Sequence, residues 1–226
     1  MPRSQKGLAA AGEWPDFKAV LPDLQGKTVL DVGCGNGWHC RYAADNGATD
    51  VLGIDISQKM LTQAREQTAD DRIHYQQGDL FNLSLPANHF DVIISSLMLH
   101  YVDDYLGFIQ KVHDLLTPKG VFQFTVEHPI FTAEGSEQWI TDAQGQLKYW
   151  PIDHYFDEGE RTSTFLDTQV TKYHHTLTTF VDGLLTHGFA LQRLIEPQPA
   201  KALRHLPEMQ PSLRVPMMLI IKAKKI

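Results

Sequence analysis

The feature that most constrains the fold is a short apolar segment that runs directly into three alternating glycines. Residues 29–32 read Val-Leu-Asp-Val and precede a G-x-G-x-G spacing formed by Gly33, Gly35 and Gly37. The pattern predicts a buried parallel strand, a tight turn and the start of a helix. Because glycine permits positive φ angles and close approach of a ligand to the backbone, we expect a ligand to bind at this turn.

The charge around the turn distinguishes between ligands. A dinucleotide-binding turn has the spacing G-x-G-x-x-G, and here Trp38 occupies the position of its third glycine. The carboxylate of Asp31 precedes the turn, and neither Lys nor Arg lies between Asp31 and Arg41. The local charge therefore favours a positively charged ligand over a pyrophosphate.

Four further apolar segments alternate with helical patterns and predict the rest of a doubly wound α/β sheet. They cover residues 51–56, 73–77, 90–96 and 121–126. Strands that alternate with helices form mostly parallel sheets covered on both faces. Asp55 ends the second strand at the position where an acidic residue accepts hydrogen bonds from two ribose hydroxyls.

The C-terminal part of the chain predicts the remaining elements. A helix is expected over residues 173–187, followed by an antiparallel pair of strands over 189–195 and 215–221. The lysines after the second of these strands are expected to form a solvated strand end. The sheet then has seven strands.

Taken in order, these motifs resemble the class I S-adenosylmethionine (SAM) dependent methyltransferases of small-molecule type. The resemblance rests on the glycine turn, on Asp55-Ile56-Ser57-Gln58-Lys59-Met60-Leu61, on Phe90-Asp91-Val92-Ile93-Ile94-Ser95-Ser96 with the Leu-His pair that follows, and on Leu-Thr-Pro-Lys-Gly before the fifth strand. It covers roughly residues 29–127. It implies a Rossmann-like methyltransferase fold, SAM as cofactor and S-adenosylhomocysteine (SAH) as product.

The resemblance also implies which residues hold SAM. The glycine turn would hold the methionine part, the ends of the second and third strands the ribose and adenine, and the end of the fourth strand would pass beneath the sulfur. The expected cofactor-binding residues are Asp31, Gly33, Gly35, Asn36, Gly37, Asp55, Ile56, Met60, Gly78, Asp79, Leu80, Ser95, Ser96 and Leu97.

The segment after the fifth strand is the candidate acceptor site. Residues 129–171 lack clean periodicity and hold several aromatic residues. Connections of this length in a compact domain are usually functional, and insertions at this point build the acceptor pocket in the resembling family. We expect a substrate lid here, within a single domain over residues 1–226 whose residues 1–26 form a helical cover.

The residues around the lid include the candidates for chemistry. His128 follows the fifth strand and has an ordinary pKa near neutrality, which makes it the expected general base. Glu127, Tyr173, His174 and Arg161 are secondary candidates that would orient the acceptor.

Composition bounds the partners and the compartment. The net charge of −7 disfavours nucleic acid and anionic membranes as partners. The two cysteines, Cys34 and Cys40, are expected to be reduced. No signal peptide or membrane-spanning segment is expected, so we expect a cytoplasmic protein. We expect it to be a monomer or a homodimer. The histidines lack the spacing of metal ligands, so no metal is expected.

The sequence alone leaves alternatives beside the main hypothesis, which is methyl transfer from SAM to an oxygen or nitrogen atom of a small-molecule acceptor. An NAD-dependent oxidoreductase would use the same turn and Asp55, although Trp38 and Asp31 oppose it. A non-catalytic SAM-binding module would keep the cofactor motifs and lack a competent acceptor pocket.

Overall fold

A seven-stranded sheet organises the computed structural model, which describes residues 11–165, 168–201 and 204–226. The strands are β1 (Thr28–Val32), β2 (Asp50–Asp55), β3 (Ile73–Gln77), β4 (Phe90–Ser96), β5 (Leu116–Glu127), β6 (Ile140–Thr141), β7 (Leu147–Tyr149), β8 (Gly159–Phe165), β9 (Thr168–His174), β10 (Phe189–Ile195) and β11 (Met218–Lys225). The main sheet has the order β10-β11-β5-β4-β1-β2-β3. β11 runs antiparallel to both neighbours and the first five strands are parallel. The predicted doubly wound, mostly parallel sheet is confirmed.

Helices connect the strands, and several of them begin at a residue whose side chain caps the first turn. They are α1 (Trp14–Val20), α2 (Trp38–Asp45), α3 (Gln58–Glu66), α4 (Tyr105–Leu115), α5 (Pro129–Thr132) and α6 (Leu177–Thr186), with 3-10 turns at Leu99–Tyr101, Pro207–Met209 and Pro211–Leu213. The side chains of Ser57, Asp104 and Thr176 each accept a backbone N–H in the first turn of α3, α4 and α6. Caps of this kind satisfy N–H groups that a helix leaves unpaired.

The two faces of the sheet bury separate apolar clusters, because side chains alternate along each strand. On β5, Phe122 and Phe124 are fully buried in one cluster together with Phe108 of α4. Gln123 between them faces the other side, where its amide donates to the Phe17 carbonyl at 2.8 Å. That bond and the buried Phe17 ring fix α1 over the second cluster. Of the predicted cover at 1–26, residues 1–10 lie outside the described residues.

Two hairpins occupy the region between β5 and α6. β6 pairs with β7 and β8 pairs with β9, both antiparallel, and neither pair joins the main sheet. Arg214 attaches the first hairpin by donating to the Leu147 carbonyl at 3.1 Å, and its guanidinium lies 4.5 Å from the Trp139 ring. The segment without clean periodicity thus contains four strands of two to seven residues, joined by irregular chain.

Two expectations from the sequence are corrected here. The helix expected over 173–187 begins only at Leu177, because Thr176 caps it and the chain before it is strand β9. The last strand extends to Lys225 instead of ending at residue 221. Lys225 is not a free strand end, since its ammonium donates to the carbonyls of His113 and Leu116 at 2.7 and 2.8 Å.

Candidate active site

A cavity of about 620 Å³ opens at the carboxyl ends of the parallel strands. Ligands bind at this edge in open α/β sheets. Its lining comes from β1, β2, the turn after β3 and the segment between β4 and α4. The lining residues are Val32, Gly33, Gly35, Ile54, Asp55, Ile56, Met60, Gly78, Asp79, Leu80, Phe81, Leu97, Met98, Tyr101, Val102, Asp103, Asp104 and Phe108.

The structure brings most of the expected cofactor-binding residues to this cavity. Those that line it are Gly33, Gly35, Asp55, Ile56, Met60, Gly78, Asp79, Leu80 and Leu97. Those that do not are Asp31, Asn36, Gly37, Ser95 and Ser96. The second group lies beneath or beside the lining and includes residues that shape it.

The glycine turn is tied to the neighbouring strand. The N–H groups of Gly33 and Cys34 both donate to the Ile54 carbonyl, at 2.9 and 3.0 Å. Gly37 has φ +73°, and a Cβ there would lie 2.1 Å from the Tyr75 hydroxyl oxygen. Gly37 is thus required by packing against β3 as well as by its left-handed backbone.

Asp55 joins the turn to the start of α3. Its Oδ2 atom accepts the Gly35 N–H at 2.8 Å and its Oδ1 atom accepts the Ser57 N–H at 2.8 Å. A carboxylate oxygen has a second lone pair, so both atoms can still accept a bond from a hydroxyl in the cavity. The carboxylate is therefore held in place by backbone donors with acceptor capacity left over.

Asp31 is buried beneath the turn. Its side chain is 1% exposed and its Oδ2 accepts the Cys40 thiol at 3.4 Å, while Oδ1 has no hydrogen-bond partner in the described part of the chain. Burial raises the pKa of Asp31 to about 7. Such an orphaned carboxylate favours a nearby positive charge.

The end of β4 forms the cavity floor. The Ser95 hydroxyl is fully buried and donates to the Val32 carbonyl at 3.0 Å, so it supports the floor from within. Leu97 lines the cavity with φ +55°, although a branched residue disfavours that conformation, and its N–H donates to the Thr125 carbonyl at 2.8 Å. Strained backbone of this kind clusters at functional sites.

One wall of the cavity was not expected from the sequence. It is formed by the segment that follows β4 and by α4. That wall includes Met98, Tyr101, Asp103, Asp104 and Phe108. The signal that could have marked it is Asp103-Asp104, which directly precedes a helical apolar pattern at the carboxyl end of a strand. The part of the wall that contains Tyr101 is a 3-10 turn, Leu99–Tyr101, which is too short to show a periodic pattern in the sequence.

A charged cluster lies beside this wall, where β5 ends. The Lys172 ammonium lies 2.7 and 2.8 Å from the two oxygens of Glu127, and 2.8 Å from both oxygens of Glu137. Burial and the Glu137 carboxylate raise the pKa of Glu127 to about 7, against the opposing effect of Lys172. Of the secondary candidates, Glu127 is thus the one that the structure places in a network of charged side chains.

His128 is placed away from the cavity lining. Its Nδ1 accepts the Ile130 N–H at 3.1 Å and thereby caps α5, which puts the ring proton on Nε2. Nε2 lies 2.9 Å from a carboxylate oxygen of Glu196. Burial lowers the pKa of His128, with Glu196 acting in the opposite direction. Nδ1 is therefore taken up by the backbone, whereas Nε2 faces the Glu196 carboxylate at ion-pair distance without hydrogen-bond geometry.

The remaining candidates hold the lid segment together. His174 is fully buried, with Nδ1 2.8 Å from the Thr132 hydroxyl and Nε2 2.9 Å from the Tyr155 carbonyl. Arg161 donates to the carbonyls of Ala133 and Asp157. Tyr173 is half-buried on β9 and does not line the cavity.

Known proteins share both the whole fold and its central motifs. A family model described as "Methyltransferase domain" matches residues 30–124. A SAM-dependent methyltransferase structure from Listeria monocytogenes is 49% identical, with a TM-score of 0.93, and the match covers 97% of this chain and 99% of that one. One from Mesorhizobium loti is 42% identical, with a TM-score of 0.90, over 97% of this chain and 100% of that one.

A shorter match comes from a curated relative. The malonyl-[acyl-carrier protein] O-methyltransferase of Enterobacter lignolyticus is 39% identical over 107 residues, which is 47% of this chain and 41% of the relative. This match spans less than half of either protein. The acceptor in its name is thus a property of that enzyme.

Fold, cavity and relatives together define a class I, Rossmann-like methyltransferase. The chain belongs to the SAM-dependent methyltransferase family, and it is an enzyme that uses SAM. This membership decides between SAM and NAD, which the sequence alone left open.

The cavity suits this cofactor chemically. Its lining includes the acidic residues Asp55, Asp79, Asp103 and Asp104 and, within the described residues, no Lys, Arg or His. A cationic sulfonium and ammonium fit such a lining, and a pyrophosphate does not. Ile56 is 72% exposed at the cavity rim, where a flat aromatic base can cover it.

Two absences concern the described residues alone. None of their helices has the length and apolar character needed to cross a membrane. No three side chains of His, Cys, Asp or Glu among them converge in a geometry that could hold a metal ion.

Proposed function

We propose that this methyltransferase acts on a small-molecule acceptor and methylates an oxygen or nitrogen atom of it. The observation that carries the proposal is the covered end of β5. Lys172 of the second hairpin is 1% exposed and bonds Glu127 at the strand end, and the Tyr101 wall lies beside them. A macromolecular acceptor would have to displace this cover to reach the end of β5, whereas a small molecule can occupy the cavity beside it.

The proposal assigns the cofactor to the half of the cavity built by β1, β2 and β3. Asp55 would accept bonds from the ribose hydroxyls with its free lone pairs, and the glycine turn would hold the methionine part above the buried Asp31. Ile56 and Met60 would flank the adenine, with Asp79 at its edge. SAM supplies an activated methyl group on a sulfonium.

The protein contributes mainly by orienting the acceptor and by excluding water from the reacting atoms. Methyl transfer is an in-line displacement, so holding the acceptor atom in line with the methyl group supplies much of the rate. Leu97, Met98, Tyr101 and Phe108 form an apolar wall that excludes water from the reacting atoms. His128 has a structural part in this proposal, since α5 and Glu196 engage its ring nitrogens.

The lid is the second part of the proposal. Residues 129–165 and 168–174 contain α5 and the strands of the two hairpins, and Lys172 bonds them to the end of β5. We assign them the role of closing the acceptor side during turnover. The charged cluster is then the contact that holds the lid shut.

The test follows the labelled methyl group. The purified enzyme is given SAM with a labelled methyl group together with either the small-molecule ultrafiltrate of a cell extract or the macromolecules retained by the filter. We expect SAH formation and transfer of label in the ultrafiltrate, and none with Asp55→Ala. Label that enters only the retained macromolecules would overturn the small-molecule assignment.

A further inference from the structure

The charged cluster at the end of β5 is short of one positive charge. Among the described residues the cluster has one cation, Lys172, which is 1% exposed and faces two carboxylates, Glu127 and Glu137, through contacts of 2.7 to 2.8 Å. An ammonium has three protons and one charge for these four oxygens. A buried carboxylate without a full countercharge is unfavourable, so the cluster attracts another cation or a proton.

The nearest histidine does not supply that charge. His100 is 3% exposed, and burial, aided by Lys172, lowers the pKa of its imidazole to about 3. The ring is therefore neutral near pH 7. Its Nε2 lies 3.9 Å from a Glu127 oxygen, which is beyond hydrogen-bond distance, and its Nδ1 has no hydrogen-bond partner among residues 11–165, 168–201 and 204–226.

This cluster adjoins the cavity through Tyr101. The Tyr101 ring lines the cavity and lies 4.4 Å from the His100 ring, centroid to centroid. Glu127 keeps 17% of its side chain accessible, although Lys172 beside it is sealed. The incompletely neutralised carboxylate and the unsatisfied imidazole thus lie behind Tyr101, next to the residues that line the cavity, and a ligand would reach them by passing this ring.

The rest of the acceptor side points to the same ligand chemistry. Asp103 and Asp104 line the cavity next to Tyr101, and the lining contains no basic side chain in the described part of the chain. An anionic acceptor would add charge of the same sign as theirs. The rings of Phe81, Tyr101 and Phe108 offer an apolar surface for the body of the acceptor.

We infer that the methyl acceptor is a primary or secondary amine on an apolar body, bound as its ammonium, and that Glu127 is the catalytic residue that holds this ammonium and removes its proton. The inference rests on the proposed function and narrows its acceptor class. Lys172 and Glu137 are positioning residues, because they hold the Glu127 carboxylate without touching the acceptor. The ammonium of the substrate supplies the positive charge that the cluster of Lys172, Glu127 and Glu137 lacks.

The chemistry balances without a further reactant. Glu127 takes one proton from the ammonium, which leaves a neutral nitrogen with a lone pair. That nitrogen forms the new N–C bond while the C–S bond to the sulfonium breaks, and the electron pair of that bond stays on sulfur, which gives SAH. The product is a methylated ammonium, and the proton on Glu127 passes to solvent.

Binding can be tested before the natural acceptor is known. The probes are 2-phenylethylamine, 2-phenylethanol and 3-phenylpropanoate, which share an apolar ring and differ in charge. Each is titrated calorimetrically into the complex of the enzyme with SAH. We expect the amine to bind at least tenfold more tightly than the alcohol or the carboxylate. Equal or tighter binding of either competitor, or no binding of the amine, would overturn the inference.

Variants then assign the effect to Glu127. Glu127→Gln should weaken amine binding at least tenfold and leave SAH affinity unchanged, which also reports that the variant is folded. Glu66→Gln, an exposed substitution at the end of α3, is the matched control and should change neither. If Glu127→Gln does not fold, Glu137→Gln must weaken amine binding in its place. An unchanged amine affinity in the folded variant would overturn the role of Glu127.

The two proposals fail in different ways. If the labelled methyl group reaches small molecules but the carboxylate or alcohol is the preferred ligand, the small-molecule function stands and the amine inference falls. If label enters only macromolecules, the proposed function falls regardless of which probe binds.

Discussion

Two groups of carboxylates, one in the cavity lining and one beside the wall that contains Tyr101, are held in opposite ways. In the cofactor half, Asp55 is bonded by backbone N–H groups, and Asp79 likewise accepts the Phe81 N–H at 2.8 Å. In the acceptor half, Glu127 and Glu137 are bonded by a lysine side chain 45 and 35 residues away. The bonds to Asp55 and Asp79 come from backbone N–H groups. The bonds to Glu127 and Glu137 come from Lys172, so they form only when the second hairpin packs against the end of β5.

The difference predicts how each half responds to mutation. Backbone donors remain when a carboxylate is removed, so changes in the cofactor half should affect ligand affinity more than stability. In a side-chain network with one cation and two anions, removal of the cation leaves buried charges without a counterion, which is unfavourable. Changes in the acceptor half should therefore affect stability first.

The largest expected effect is in the acceptor half. Lys172→Met leaves two carboxylates buried without a cation, and we expect the free energy of unfolding to fall by about 3 to 5 kcal/mol in urea titrations at pH 8. The exposed Lys59→Met is the matched control and should stay close to wild type. A loss below about 1 kcal/mol would show that the lid network contributes little to stability.

The cofactor half should show the complementary result. Asp55→Ala removes the acceptor of two backbone N–H bonds and of the proposed ribose hydroxyls, so we expect calorimetry to show SAM and SAH affinities reduced roughly 100-fold, or about 2.7 kcal/mol. Asp50→Ala, at the far end of the same strand, should bind as wild type. Equal affinities in the two variants would contradict the contrast between the halves.

The stability of the ligand-free enzyme should depend on pH through Asp31. Its pKa is about 7 in the fold and roughly 4 when unfolded, so the folded state binds a proton that the unfolded state has lost. Stability should therefore fall by roughly 2 kcal/mol as pH rises from about 5 to 7, and then level off.

Asp31→Asn tests this assignment with little change of shape. The variant should lose that part of the pH slope and be more stable than wild type at pH 8, as measured by urea unfolding at each pH. The exposed Asp23→Asn should keep the wild-type slope. A parallel slope in Asp31→Asn would assign the pH dependence to other groups, of which Glu127 has the same sign.

The smallest expected effect returns to the cofactor half. The Ser57 hydroxyl accepts the Met60 N–H at 3.3 Å and caps α3, so Ser57→Ala should cost about 1 kcal/mol of unfolding free energy. Thr62→Ala, within the same helix, is the control for a lost hydroxyl. A drop in SAM affinity larger than the drop in stability would show that the cap also positions Asp55.

The same contrast explains what the sequence could predict. The strands and the glycine turn were recognisable because their determinants lie within a few residues: an apolar run, Gly33, Gly35 and an acid at Asp55. The helix expected from Tyr173 begins four residues later, and its expected start was wrong for the opposite reason. Those residues form strand β9, which is fixed by pairing with β8 and by contacts to distant residues.

Lys172 shows why the contacts of the acceptor side could not be predicted from the sequence. Lysine is rarely buried, so nothing in Thr-Lys-Tyr-His marks this one as the centre of a network. Its partners are visible only after the hairpins fold back on β5. His128 was selected for its titration range and His174 as a group that orients the acceptor. A backbone N–H engages Nδ1 of His128, and a hydroxyl and a carbonyl engage the ring of His174, contacts that no sequence spacing reveals.

The place of β11 in the sheet has a consequence for biosynthesis. Leu219 and Ile221 pair with Val126 and Phe124 of β5, yet they follow that strand by some 90 residues of chain. On the ribosome, the apolar outer edge of β5 stays open while those residues are made, for roughly 5 to 20 seconds. An open strand edge recruits other chains. Association of nascent chains through β5 therefore competes with folding until β11 is made.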